Sequence, residues 1–110
     1  MDATLTALAE PNRKRIVELL REGPQPVGEI VFKLKLRQPQ VSKHLRVLND
    51  AGLVEVHPVA QRRYYGLRPQ AFQELASWVE SYRRIWEERM DRFDEVLQDL
   101  QQKEKRHARN

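Results

Sequence analysis

The chain reads as a mainly α-helical domain with one small β-hairpin and a long C-terminal helix, and three observations predict this. Apolar residues recur at helical spacing in successive short segments before residue 51. The period then changes over residues 54–67, where β-branched and aromatic residues gather in two runs. From Pro69 onward the helical spacing returns and is sustained for about 30 residues. A length of 110 residues is that of one domain, residues 1–110, with only a modest core of its own.

Thr4 is placed to cap a short helix over LTALAE, and Pro11 suits the first turn of the next, where its missing N–H costs nothing. Ile16, Leu19 and Leu20 supply that second helix with an apolar stripe, and Gly23-Pro24 ends it. In VGEIVFKLKL, residues Val27, Ile30, Val31 and Leu34 fall at i, i+3, i+4 and i+7, which predicts a third helix. Only Lys35, Leu36 and Arg37 separate it from QPQVSKHLRVLND, whose Val41, Leu45 and Leu48 again share one stripe. Two short amphipathic helices joined by so tight a turn must cross steeply to bury both stripes. Residues 27–51 therefore read as a helix-turn-helix.

Gly52 supplies the residue that follows the helix end, and VEVHPVAQRRYYGL then holds the two strand-like runs, Val54–Val56 and Arg63–Leu67. They predict a hairpin over 54–67 with Gln61 and Arg62 at its tip. Pro58 ends the first run or marks an edge strand, so the hairpin is expected to be short. In the last segment apolar residues stand at 72, 75, 79, 82, 86, 90, 93, 97 and 100, an average step of 3.5. That is a coiled-coil-like seam on a helix of about residues 70–102. Trp78, Ile85 and Val96 add a second, sparser stripe, so that one face can dock on the chain's own domain while another meets a partner. The closing QQKEKRHARN has no apolar pattern, and residues 103–110 are expected to fray.

The net charge of +4 is unevenly placed. Residues 1–26 hold four acids and four bases, residues 27–69 three acids and eight bases, and residues 70–110 nine acids and eight bases. The surplus is confined to the helix-turn-helix and hairpin, the footprint of a polyanion binder. The chain has no cysteine, which excludes disulfides, thiolate metal sites and thiol redox sensing. MDATLTALAE has no apolar leader pattern and no run approaches membrane-spanning length, so a soluble cytoplasmic protein with no membrane partner is the expectation.

ALAEPNRKRIVELL, QPQVSKHLRVLNDAGLVE and QRRYYGLRP resemble, in that order, the opening, the recognition helix with its exit, and the wing of ArsR-type (arsenic-repressor-like) transcriptional regulators. The order of elements matches their winged helix-turn-helix plan from about Leu5 to Leu100, and the closest likeness is to short, cysteine-free, non-metal-sensing members. The resemblance implies a dimeric repressor on an inverted-repeat operator. It implies base contacts from Gln38, Ser42 and Lys43, wing contacts from Arg62 and Arg63, and a dimer interface built from the first and last helices. On this chain that interface would use Leu5, Leu8, Phe72, Leu75, Val79, Tyr82, Trp86, Met90, Phe93 and Leu97. Two residues depart from the family pattern: Arg37 stands where a capping Ser or Thr is usual, and Pro39 where a hydrogen-bonding residue usually faces a base.

The chemistry of the residues agrees with this reading. Lys43 can donate to guanine N7 and O6, Gln38 and Gln40 can pair with adenine, and Ser42 can serve a base or a phosphate. Lys33, Lys35, Arg37 and Arg46 are candidates for phosphate, as are Arg62 and Arg63, where attraction is largely sequence-blind. Of Tyr64 and Tyr65, which face oppositely in a strand, one is expected in the core. His44 has no second histidine or cysteine beside it and reads as packed or phosphate-facing. The metal sites of the resembling family use third-helix cysteines, or histidines and carboxylates along the last helix; VGEIVFKL has no cysteine, and Asp91 and Asp94 have no histidine before His107. No metal and no cofactor are expected. Ser42, His44 and Asp50 share one helix at spacings that cannot converge on a reacting atom, so no enzyme is expected either.

Double-stranded DNA and a second copy of the chain are the expected partners, and the pattern specifies no small-molecule or protein effector. The competing reading is a winged-helix adaptor that binds protein and does not read DNA. The charge concentrated on residues 27–69 argues against it, since an adaptor has no need of that placement.

Overall fold

Glu10 starts the second helix by accepting the backbone N–H of Arg13 at Oε2, 2.8 Å away, in a computed structural model that describes residues 1–109. The helices are α1 (Asp2–Leu8), α2 (Pro11–Leu20), α3 (Val27–Leu34), α4 (Gln38–Asp50) and α5 (Pro69–Arg109). The strands are β1 (Gln25–Pro26), β2 (Val54–Val59) and β3 (Arg62–Leu67). Met1–Leu75 forms one compact unit, and α5 from Ala76 onward forms a second.

Within the first unit the core is the union of the stripes read from the sequence. Ile16, Val17 and Leu20 of α2, Ile30 of α3, and Val41, Leu45 and Leu48 of α4 are buried together with Ala7, Leu53 and Val54. Burying side chains of this kind is worth about 1.5–3 kcal/mol each, which holds the short helices in place despite their length. Two arginines of α2 stitch neighbouring turns. The Arg13 Nε donates to the Ala7 carbonyl at 2.7 Å, closing the end of α1, and an Arg15 guanidinium N–H donates to the Leu34 carbonyl at 3.0 Å, closing the end of α3.

The sheet has the order β1-β3-β2 and is antiparallel throughout. β1 was not expected, because two residues ending in proline carry no strand pattern; it forms only because Gln25 and Pro26 lie against Tyr65 and Tyr64 of β3. β2 runs through Pro58, which pairs with Arg63, as far as Val59 opposite Arg62. The hairpin has the expected bounds of 54–67, but its first strand runs past Val56, and the reason is that Pro58 marks an edge strand, where a proline forfeits no ladder bond. The tip is Ala60-Gln61, with Ala60 at φ 55°, and Arg62 is the first residue of β3 rather than a tip residue.

Three further expectations are corrected. Thr4 does not cap α1: it lies inside that helix, buried, and Met1 stands at the N-cap without a side-chain bond. α5 continues through the segment expected to fray, to Arg109, because Gln, Lys, Glu, Arg and Ala sustain helix without any apolar stripe. Trp78, Ile85 and Val96 are exposed, so the second stripe is left uncovered in the single chain, as the main seam is from Val79 onward. Asn110 lies outside the described residues.

Candidate nucleic-acid interface

Lys35 closes α3 in the left-handed conformation, at φ 57° and ψ 39°, and thereby turns the chain sharply enough for α4 to begin two residues later at its N-cap, Arg37. A guanidinium has no acceptor with which to cap a helix. The Arg37 position is served instead by Gln40, whose Oε1 accepts the Arg37 backbone N–H at 3.2 Å. Pro39, in the first turn of α4, has no N–H to leave unsatisfied. The two departures from the family pattern thus have a local explanation. Gln40 acquires a capping role that its place on an exposed face had not suggested.

The inner face of α4 is locked by Val41, Leu45 and Leu48, each at most 1% exposed. Its outer face presents Gln38, Gln40, Ser42, Lys43 and Arg46, all exposed. Gln40 is constrained among them. With its amide oxygen on the Arg37 N–H, only its NH2 group is free to donate outward. At the exit of α4 the Leu53 N–H donates to the Leu48 carbonyl at 2.9 Å, and Gly52 takes φ 79°, which delivers the chain directly into β2.

Arg62 and Arg63 are exposed on β3 and border a shallow groove shared with Pro26, Val27, Gly28 and Glu29, so the tip end of β3 flanks the start of α3. Lys33, Lys35 and Arg37 are likewise exposed. No lysine or arginine of residues 27–69 joins an Asp or Glu in an ion pair among the described residues, so their charge is available to a polyanion; the acids Glu10 and Glu55 lie instead 3.7 Å from His44 and 3.1 Å from His57. Tyr64 and Tyr65 are both half-buried, and Tyr65 is the one packed against the core.

His44 is turned inward. Its side chain is 15% exposed, its Nδ1 has no hydrogen-bond partner, and that nitrogen lies 3.7 Å from Glu10 Oε2. It is a packed histidine, and it does not share a face with exposed Ser42. Partial burial pushes the Glu10 carboxyl up, but the backbone N–H groups of Arg13 and Asn12 and the charges of His44 and Arg13 outweigh it and hold the group below its ordinary value. No group of three or more potential metal ligands occurs among the described residues.

Of the expected interface residues, Leu8 and Phe72 are half-buried against the core of the first unit, and Leu75 is half-buried. Leu5, Val79, Tyr82, Trp86, Met90, Phe93 and Leu97 are exposed, Trp86 to 64%. Trp78 and Tyr82 meet edge to face on α5, ring centres 5.2 Å apart, which preorganises one stretch of this surface. No helix among the described residues is long and apolar enough to cross a membrane.

Comparison with known proteins places these elements. Residues 10–56, which contain α2, α3, α4 and the start of β2, match the family model described as bacterial regulatory protein, arsR family. The chain is 35% identical over 96 residues to the HTH-type transcriptional regulator Rv2034 of Mycobacterium tuberculosis, covering 87% of each chain. It is 29% identical to the transcriptional repressor SdpR of Bacillus subtilis, over 72% of this chain and 88% of that one. Among solved structures it resembles a homodimeric winged helix-turn-helix DNA-binding domain from Mycobacterium bovis, a possible ArsR-family regulator. That likeness has a TM-score of 0.63 at 28% identity and covers 73% of this chain and 74% of that one.

Proposed function

The chain belongs to the arsR family of bacterial regulatory proteins, and from that premise we propose that it is a homodimeric transcriptional repressor that binds an inverted-repeat operator. The observation that carries this is the division of α4: Val41, Leu45 and Leu48 are buried, while Gln38, Ser42, Lys43 and Arg46 stand exposed and uncommitted on the other side. An α-helix held in this way fits the major groove at a fixed angle.

In this reading Lys43, Gln38 and Ser42 meet base edges. Gln40 contributes its NH2 group, and its Oε1, which accepts the Arg37 N–H with one of its two lone pairs, keeps the other for adenine. Arg46, Lys33, Lys35 and Arg37 hold phosphates on one flank, and Arg62 and Arg63 hold them from the hairpin. The exposed seam of α5, with α1, joins two copies so that two recognition helices present themselves about one turn of DNA apart.

The test is selection of bound fragments from a genomic DNA pool, followed by gel shift. A two-fold-related motif with half-site centres about 10 base pairs apart is the expected outcome. Binding no better than to random DNA would instead support the adaptor reading.

A further inference from the structure

We infer that His44 is an operator contact of α4: as an imidazolium it donates Nε2–H to a DNA phosphate and Nδ1–H to Glu10, and it takes up its second proton from solvent when the operator binds. The inference rests on the operator reading and adds to it a residue, its charge state and a pH dependence.

The direction opposite Val41, Leu45 and Leu48 passes close to Lys43, and at about 100° per residue Gln40 and His44 stand about 60° and 100° to one side of it. A helix about 10–12 Å across nearly fills a major groove about 12 Å wide, so side chains set back by such angles meet the walls of the groove, which are sugar and phosphate. His44 has one closed edge and one open edge. Its Nδ1 is buried without a partner; Nε2 also makes no hydrogen bond but keeps contact with solvent, within a side-chain exposure of 15%.

On the closed edge Glu10 Oε2 stands 3.7 Å from Nδ1, and having given one lone pair to the Arg13 N–H it has another for an imidazole proton. An approach of about 0.5–1 Å brings the pair into hydrogen-bond range. On the open edge a phosphate oxygen is a second acceptor. Neutral imidazole carries a single N–H and can serve only one of the two, turning a lone pair on the other. The imidazolium serves both, with charge-assisted bonds. The free protein lacks the second acceptor, so the bound state holds more protons and affinity falls as pH rises through the range in which histidine titrates.

The surroundings single out Glu10. The side chains one turn away on α4, Gln40, Val41, Val47 and Leu48, are uncharged. Among the described residues no acid of α1, α3 or β2, neither Asp2, Glu29 nor Glu55, lies within 4 Å of His44. Arg13, the base at the same end of α2, has its guanidinium committed to the Ala7 and Thr6 carbonyls. Asp2 lines a depression farther along α4, with Val47, Asp50 and Ala51.

The test is fluorescence anisotropy on the selected operator at fixed ionic strength. Affinity of the unsubstituted chain is expected to fall about tenfold or more between about pH 6 and pH 8, with uptake of up to about two protons per dimer. His57→Gln, at the one other histidine before the tail, is expected to keep this dependence and His44→Gln to lose it. A histidine that only packs would lower affinity alike at every pH when replaced. Glu10→Gln keeps an oxygen to cap α2 but removes the charge, and is expected to displace the dependence to lower pH. Nitrogen NMR of the unsubstituted chain on its operator at about pH 7 is expected to show both His44 ring nitrogens protonated, and decides the matter if the variants fail to fold. A dependence equally steep in His44→Gln, or an unprotonated His44 nitrogen in the bound chain, overturns the inference. Failure of the unsubstituted chain to bind any site across the range overturns the operator reading instead.

Discussion

The Glu10 carboxylate lies 3.7 Å from Nδ1 of His44 and brings the start of α2 beside α4 without a hydrogen bond. The same carboxylate accepts the Arg13 N–H that begins α2, so one side chain caps one element and lies beside another. Burial works against its ionisation, and the N–H groups of Arg13 and Asn12, with the charges of His44 and Arg13, more than compensate.

Because the folded state holds the Glu10 carboxyl below its unfolded value, its contribution is fully present above the unfolded value and is lost as pH falls through the folded one. Glu10→Ala should destabilise the fold by roughly 1 kcal/mol near neutral pH, the typical worth of an N-cap acceptor. The gap to the unsubstituted chain should narrow as pH falls through the acidic carboxylate range. Urea unfolding at several pH values checks both; a gap independent of pH would show that the ionised carboxylate contributes nothing.

Lys43 and Arg62 separate reading from holding. Lys43→Ala should cost on the order of 1–3 kcal/mol on the cognate operator and relax preference at one base in each half-site. Arg62→Ala should weaken cognate and random DNA by similar factors, and reduce the slope of log affinity against log salt by about one per lost phosphate contact, or about two per dimer. Fluorescence anisotropy on cognate and scrambled duplexes distinguishes them, and exchanged results would reverse the roles of helix and hairpin.

Trp86 and Phe93 test assembly. Both are exposed in the single chain, and a charged pair at these positions opposes burial of the seam. The unsubstituted chain should sediment as a dimer at micromolar concentration, and Trp86→Asp/Phe93→Asp as a monomer that retains helical circular dichroism and no longer shifts the operator. Unimpaired operator binding by a monomeric variant would remove the dimer from the mechanism.

Lys35 holds a left-handed conformation that glycine adopts without steric penalty. Lys35→Gly should therefore raise stability by up to about 1 kcal/mol while lowering DNA affinity through the loss of a phosphate contact. Thermal unfolding and anisotropy on the same preparation check the opposed signs. A loss of stability would mean that the lysine side chain does more for the turn than its backbone strain costs.

Patterns that depend only on spacing were legible before any coordinates. The stripes of α3 and α4, the short turn between them, Gly52 at the helix exit and the apolar seam of α5 follow from residue order, because a helix of regular pitch maps spacing onto facing. The surplus of lysine and arginine in residues 27–69 was equally visible, and the structure leaves those side chains exposed, with no ion pair to an acid among the described residues.

Other features depended on neighbours distant in sequence. Gln25 and Pro26 are a strand only because β3 lies beside them, and Pro58 is tolerated only because β2 has no strand on its outer side. Arg15 closes α3 across nineteen residues of sequence, and His44 turns toward Glu10 across thirty-four, pairings to which no local pattern points. Residue order alone determined which faces are apolar and where charge gathers, since these follow from helix pitch and side-chain chemistry. Tertiary structure decided which of those faces are covered within one chain and which of the polar groups are already engaged, because burial and hydrogen bonding depend on what the rest of the fold brings into contact.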